Sequence, residues 1–195
     1  MYKKFLKQIF YGKIFDMQYR KIFLKFFKSF IISLTLSLFI YMEYFSVDIK
    51  IIDTILAIIG IYYILTIHKK YLFTIGFFIG ILWFYWIAFS FRYYELTFLI
   101  PIVIISIGIL YGILFRLIAI IDKIYFRAFA IIVISYIDIL GFNWFNLELI
   151  FINSYFSSSI TTLILIILLI NLYLKRSKKL ILSLILVLNM VTNNS

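Results

Sequence analysis

Seven apolar runs, at about residues 29–45, 51–67, 71–91, 97–121, 124–140, 158–174 and 180–191, divide the chain, with short charged borders between them. As a helix, a run of about 20 apolar residues crosses the hydrocarbon core of a bilayer. Unpaired backbone groups are costly there and an open sheet cannot span, so the runs are expected to be helices. The seventh has only 12 strongly apolar residues and spans only if residues 192–195 continue it. The expected fold class is therefore all-α: a polytopic transmembrane bundle of six to seven spans. Composition closes the soluble alternative, because 66% of residues are hydrophobic and 14% charged, against about 45–50% and about 25% in soluble domains. The absence of cysteine from the 195 residues excludes disulfides, thiolate metal sites and a cysteine nucleophile within them.

Charge orients the bundle. With the N-terminus in the cytoplasm and every run spanning, 17 of the 19 basic residues fall on the cytoplasmic side: eight within residues 1–28, then Lys69 and Lys70, then Arg116, Lys123 and Arg127, then Lys175, Arg176, Lys178 and Lys179. The other side keeps Lys50 and Arg92 and collects Asp48, Glu95 and Glu148. This is the positive-inside pattern. Residues 1–28 interleave lysines with phenylalanines, too long a basic stretch for a signal peptide. They are expected to form an amphipathic cytoplasmic segment ahead of a transmembrane domain over residues 29–195. The net charge of +11 is that of juxtamembrane lysines beside anionic lipid, and nucleic acid is not expected as a partner.

Ionisable residues inside spans are functional candidates because burying them is costly. Most here lie near borders. Glu43 and Asp53 read as solvated outer helix ends, Arg116 as a side chain that snorkels to the inner interface, and His68 as an interface residue without a second metal ligand. Asp138 ends the fifth run just ahead of Gly141. In the third run, Gly76 and Gly80 form a GxxxG suited to close helix packing, followed by Trp83, Tyr85 and Trp86 toward the outer interface. The segment at about 141–157 has no basic residue and mixes Asn and Glu with large apolar groups. It is expected to lie in the headgroup layer or to wall an opening that admits acyl chains.

The order of these features resembles the N-terminal membrane domain of apolipoprotein N-acyltransferase. The resemblance is carried by Gly76, Phe77, Gly80, Trp86 and Ile87, then Pro101, then Asp138, Gly141, Phe142 and Trp144. Asn143 stands where that family commonly has Pro. The resemblance implies a lipid platform in lipoprotein biosynthesis by acyl transfer from phospholipid, in a multi-pass protein of the bacterial inner membrane. The family's chemistry belongs to a nitrilase-like domain with a Glu-Lys-Cys triad. The chain ends where that domain would begin, so it is expected to be inactive alone, with no catalytic residue, cofactor or metal of its own.

The implied partners are membrane phospholipid and a separate nitrilase-like catalytic chain. Lipid contacts are expected from Trp83, Tyr85, Trp86, Phe142, Asn143 and Trp144, in one cleft shared by the third helix and the loop. Asp138 and Glu148 are expected to orient the loop, and Gly76 and Gly80 to pack helices. Two other readings stay open: a small substrate-binding subunit of a transporter, and a structural membrane protein.

Overall fold

The computed structural model describes residues 2–47, 49–136, 145–176 and 185, with backbone alone for residues 2–17. Six α-helices account for most of them: α1 (Tyr2–Tyr44), α2 (Lys50–Thr66), α3 (Leu72–Phe89), α4 (Ile100–Ile118), α5 (Ile124–Ser135) and α6 (Ile160–Leu174). No strand occurs among the described residues. Three helical stretches are long and apolar enough to cross a membrane: Gln18–Tyr44, Lys69–Tyr94 and Thr97–Ile118. The seventh apolar run lies outside the described residues except for Ile185.

Helix ends follow local chemistry. Pro101 sits in the first turn of α4, where a missing N–H costs nothing. Ser159 caps α6, its hydroxyl accepting from the Thr162 N–H at 3.2 Å in the usual N-cap manner. The chain turns after α1 and beyond α3 through Ser46 and Glu95, both with left-handed backbone. The basic N-terminal stretch is not a separate helix, since α1 runs unbroken through 43 residues. At 1.5 Å per residue that is about 65 Å, roughly twice a hydrocarbon core, so a large part of α1 lies beyond the apolar layer.

The centre of the bundle is the antiparallel pair α3 and α4. A Cβ placed at Gly76 would run into the carbonyl oxygen of Tyr111, and one at Gly80 would lie 2.9 Å from that of Ile107. The contact is reciprocal. Gly108 and Gly112 of α4 lie under the rings of Phe77 and Phe73, 2.9 Å from a virtual Cβ in each case. Two GxxxG faces thus interlock, each giving room to the other helix's aromatic side chains.

On the opposite face of α3, α1 packs in parallel through Ser29, Ser33 and Ser37, all buried. Ser33 Oγ donates to the Ile75 carbonyl at 2.9 Å, and the Trp83 indole N–H donates to Ser37 Oγ at 3.0 Å. Small hydroxyl residues four apart let the helices approach and still satisfy the indole. Outward, α4 presents Ile102, Ile105, Ile109, Ile113 and Leu117, all exposed. That spacing of three and four keeps them on one face. A continuous apolar stripe of this kind is stable only against lipid or another apolar partner.

Candidate functional site

Phe145 packs into the bundle. Its ring meets Phe115 edge to face at 5.4 Å and Tyr111 at 6.3 Å between centroids. Phe115 is a residue that faces Gly76, near the start of α3, so Phe145 packs toward the end of the bundle where α3 begins. Leu147, Ile150 and Phe151, in the short 3-10 turn that follows, are buried as well. One side of the described loop is therefore core material, whereas Leu149, Ile152 and Tyr155 are exposed. Irregular backbone is tolerated at membrane depth only where protein covers it or a cavity adjoins it.

Such a cavity adjoins it. A groove of about 300 Å³ is lined by Phe39 and Ile40 of α1, Trp83, Phe84 and Trp86 of α3, and Asn146 and Leu149 of the loop. Trp83 forms its buried wall, braced edge to face by Phe39 at 5.5 Å and fixed through its N–H to Ser37. Trp86, one turn on, is 60% exposed, and its N–H donates to the Trp83 carbonyl at 3.0 Å. With its one donor used within α3, Trp86 offers the groove a flat apolar face. Asn146 is the one polar side chain in the lining, and its Oδ1 is buried without a hydrogen-bond partner among the described residues.

Tyr85 departs from the expected grouping. It is not part of the lining and instead packs edge to face on Phe89 at 5.8 Å. Residues 83 and 86 share a helix face, whereas 85 is turned by about 200° from 83. Asp138, Gly141, Phe142, Asn143 and Trp144 lie outside the described residues.

The loop is tied to the end of α1 and the first turns of α2 by other residues. Asn153 Nδ2 donates to Glu43 Oε2 at 2.6 Å, and the Tyr155 N–H donates to Thr54 Oγ1 at 3.1 Å. Glu148 contributes its backbone carbonyl, which accepts from Ser158 Oγ at 3.4 Å. Its carboxylate Oε2 is buried with no hydrogen-bond partner.

Of the two acids expected to be solvated, Glu43 is exposed at the end of α1 and Asp53 is buried. Glu43 holds the loop, and Asp53, in the first turn of α2, is 2% exposed, where the positive end of the helix dipole favours a carboxylate.

A residue with no signal as a single feature in the sequence organises the other end. Arg127 of α5 is 3% exposed and pairs with Asp122. Its guanidinium also donates to the carbonyls of Ile64, Leu65 and Ile67, the groups left unpaired where α2 ends. Arg116, by contrast, is exposed at the end of α4, as a snorkelling side chain should be. Among the described residues no group of three acids or histidines is placed to hold a metal.

The family model for the apolipoprotein N-acyltransferase integral membrane domain matches residues 23–194. The chain belongs to this family. Three relatives, each named apolipoprotein N-acyltransferase, give the same answer. That of Campylobacter jejuni is 40% identical over 149 residues, 75% of this chain and 34% of the relative. That of Wolinella succinogenes is 37% identical over 123 residues, 63% and 30%, and that of Helicobacter pylori 38% over 93 residues, 48% and 22%. The chain thus spans about a third of the length of the first two. No solved structure matches it at a significant level. As an apolipoprotein N-acyltransferase membrane domain it is an integral membrane protein, in keeping with its exposed apolar faces.

Proposed function

We propose that this chain is the lipid platform of an apolipoprotein N-acyltransferase, and that the Trp83–Trp86 groove holds an acyl chain of the phospholipid donor. The observation that carries this reading is the groove itself: it opens beside an exposed tryptophan, is walled by three aromatic rings, and is floored by an irregular loop segment at depth. An acyl chain has no hydrogen-bonding groups, so the aromatic walls suit it, and the Asn146 acceptor gives the groove one polar end. Phe142, Asn143 and Trp144 belong to the same loop and extend the lipid contact, with Asp138 and Glu148 orienting it. Tyr85 serves the outer interface.

In this reading the N-terminus is cytoplasmic, the domain has six to seven spans, and it resides in the bacterial inner membrane. Residues 1–28 lie at the cytoplasmic surface. These 195 residues carry no cysteine nucleophile, so acyl transfer by a Glu-Lys-Cys triad requires a nitrilase-like catalytic part acting at the outer face.

The test is photo-crosslinking of the full chain in vesicles containing a phospholipid with a diazirine in its acyl chain. Adducts should map to Trp86, Leu149 and their neighbours. Trp86→Ala should lower the yield there several-fold, whereas Phe126→Ala, an exposed residue on α5, should not. Equal labelling in both variants would sink the groove as a specific lipid site.

A further inference from the structure

At the opposite end of the bundle from Trp86, where α2 passes into α3 and α4 ends, a cavity of about 440 Å³ is lined by His68, Lys69, Lys70, Arg116, Ala119 and Ile120. Three of these side chains are permanent cations, and none of them forms an ion pair with a described residue. Nor is any carboxylate among the lining groups. The cations are arranged by their neighbours. The backbone N–H of Lys70 donates to His68 Nδ1 at 3.2 Å, which leaves Nε2 of the neutral ring as a donor. Lys70 Nζ lies 5.2 Å from the centre of the Tyr71 ring, and Lys28 Nζ lies 5.5 Å from the same ring. These cation–π contacts gather two ammonium groups at the Tyr71 ring, next in sequence to the lining residue Lys70. Buried Ala119 provides an apolar wall.

We infer that this cavity binds an anionic phosphate, either a lipid phosphodiester whose headgroup carries no compensating cation or a free phosphate. Like charges gathered round one hollow repel one another, and an anion in the hollow relieves that repulsion. Arg116 supplies a planar fork that matches phosphate oxygens, and the lysines supply point charges. Arg127 shows the contrasting case nearby: its charge is used by Asp122 and by three carbonyls, so it stabilises the fold and offers nothing to a ligand. The site is separate from the acyl groove and does not depend on the reading given to it.

The experiment uses the full chain in a neutral detergent, titrated with phosphatidylglycerol or phosphatidylcholine, with retained lipid counted by native mass spectrometry. Phosphatidylglycerol should be retained about tenfold or more in preference, since each Lys or Arg near a lipid surface contributes a several-fold effect. The triple variant Lys69→Gln, Lys70→Gln, Arg116→Gln should erase the preference. The charge-keeping set Lys69→Arg, Lys70→Arg, Arg116→Lys should retain it, as should Lys50→Gln with Arg92→Gln at the other end. Arg116→Gln alone, on an exposed residue that leaves helicity intact, should weaken retention several-fold. Millimolar inorganic phosphate separates the sources: displacement of the lipid means that the phosphate group alone is read, and retention means that the diacyl part also anchors it. Absence of any preference in the parent chain, its survival in the triple glutamine variant, or equal loss in the Lys50 and Arg92 control would overturn the proposal.

Discussion

Gly76 and Gly108 occupy equivalent places in facing GxxxG motifs, yet a methyl group would meet different obstacles at each. At Gly76 it collides with the Tyr111 carbonyl oxygen and with Phe115 Cβ; at Gly108 it meets side chains alone, the Phe77 ring 2.9 Å away and Ile81 Cγ1 at 3.2 Å. Backbone cannot yield without displacing a helix, whereas a ring on a flexible side chain can swing. Gly76→Ala should therefore destabilise the α3–α4 pair by about 1–3 kcal/mol, the usual cost of overpacking, and Gly108→Ala by clearly less, measured by steric-trap unfolding in bicelles. Arg127 gives a second asymmetry. Arg127→Gln strands the carbonyls at the end of α2 and should cost about 1–3 kcal/mol. Asp122→Asn should cost at most about 1 kcal/mol, because Asp122 is 43% exposed and water replaces its partner. If Asp122→Asn proved as damaging as Arg127→Gln, the ion pair and not the carbonyl cap would be the stabilising contact.

At the scale of elements, the sequence located helices better than it located what they touch. The second run, at 51–67, matches α2 (Lys50–Thr66) within a residue, because charged borders end both the apolar run and the helix. The fifth run, at about 124–140, outlasts α5, which stops at Ser135. The rest of that run, at 137–140, lies outside the described residues. The Gly76–Gly80 spacing was legible, but its counterpart Gly108–Gly112 and the Ser29–Ser33–Ser37 stripe carry the same four-residue period and passed unread. Arg127 could not be singled out, since a border arginine gives no local sign that three carbonyls of another helix converge on it. The loop's anchors were likewise illegible, because Asn153 and Glu43 are 110 residues apart. Each anchoring hydrogen bond contributes about 1 kcal/mol. Replacing both, with Asn153→Ala and Thr54→Val, should thus speed amide exchange over residues 147–156 by about fivefold or more. Exchange in α3 and α4 should not change. An unchanged loop would mean that Phe145, Ile150 and Phe151 hold it by packing alone.

For the whole molecule, the absence of cysteine is both a chemical limit and an experimental convenience. The 195-residue chain given phospholipid and a diacylglyceryl peptide should release no lysophospholipid, because acyl transfer through a covalent intermediate needs an activated nucleophile. None of the described side chains presents one beside a base. The same absence lets topology be read by single substitutions with a membrane-impermeant maleimide. If every apolar run spans, the basic residues divide 17 to 2 between the two sides, and the loop meets the bundle at the end where α1 finishes and α2 begins. Tyr94→Cys and Tyr155→Cys, both at strongly exposed positions, should therefore label in intact spheroplasts. Lys69→Cys and Lys123→Cys, also at exposed positions, should label only after the membrane is permeabilised. The two outer sites come from different connections, one beyond α3 and one ahead of α6, so their joint labelling also fixes the parity of the spans between them. Labelling of Lys69→Cys in intact cells would invert the bundle. It would also move the Trp86 groove to the cytoplasmic side, where a catalytic part at the outer face could not reach it.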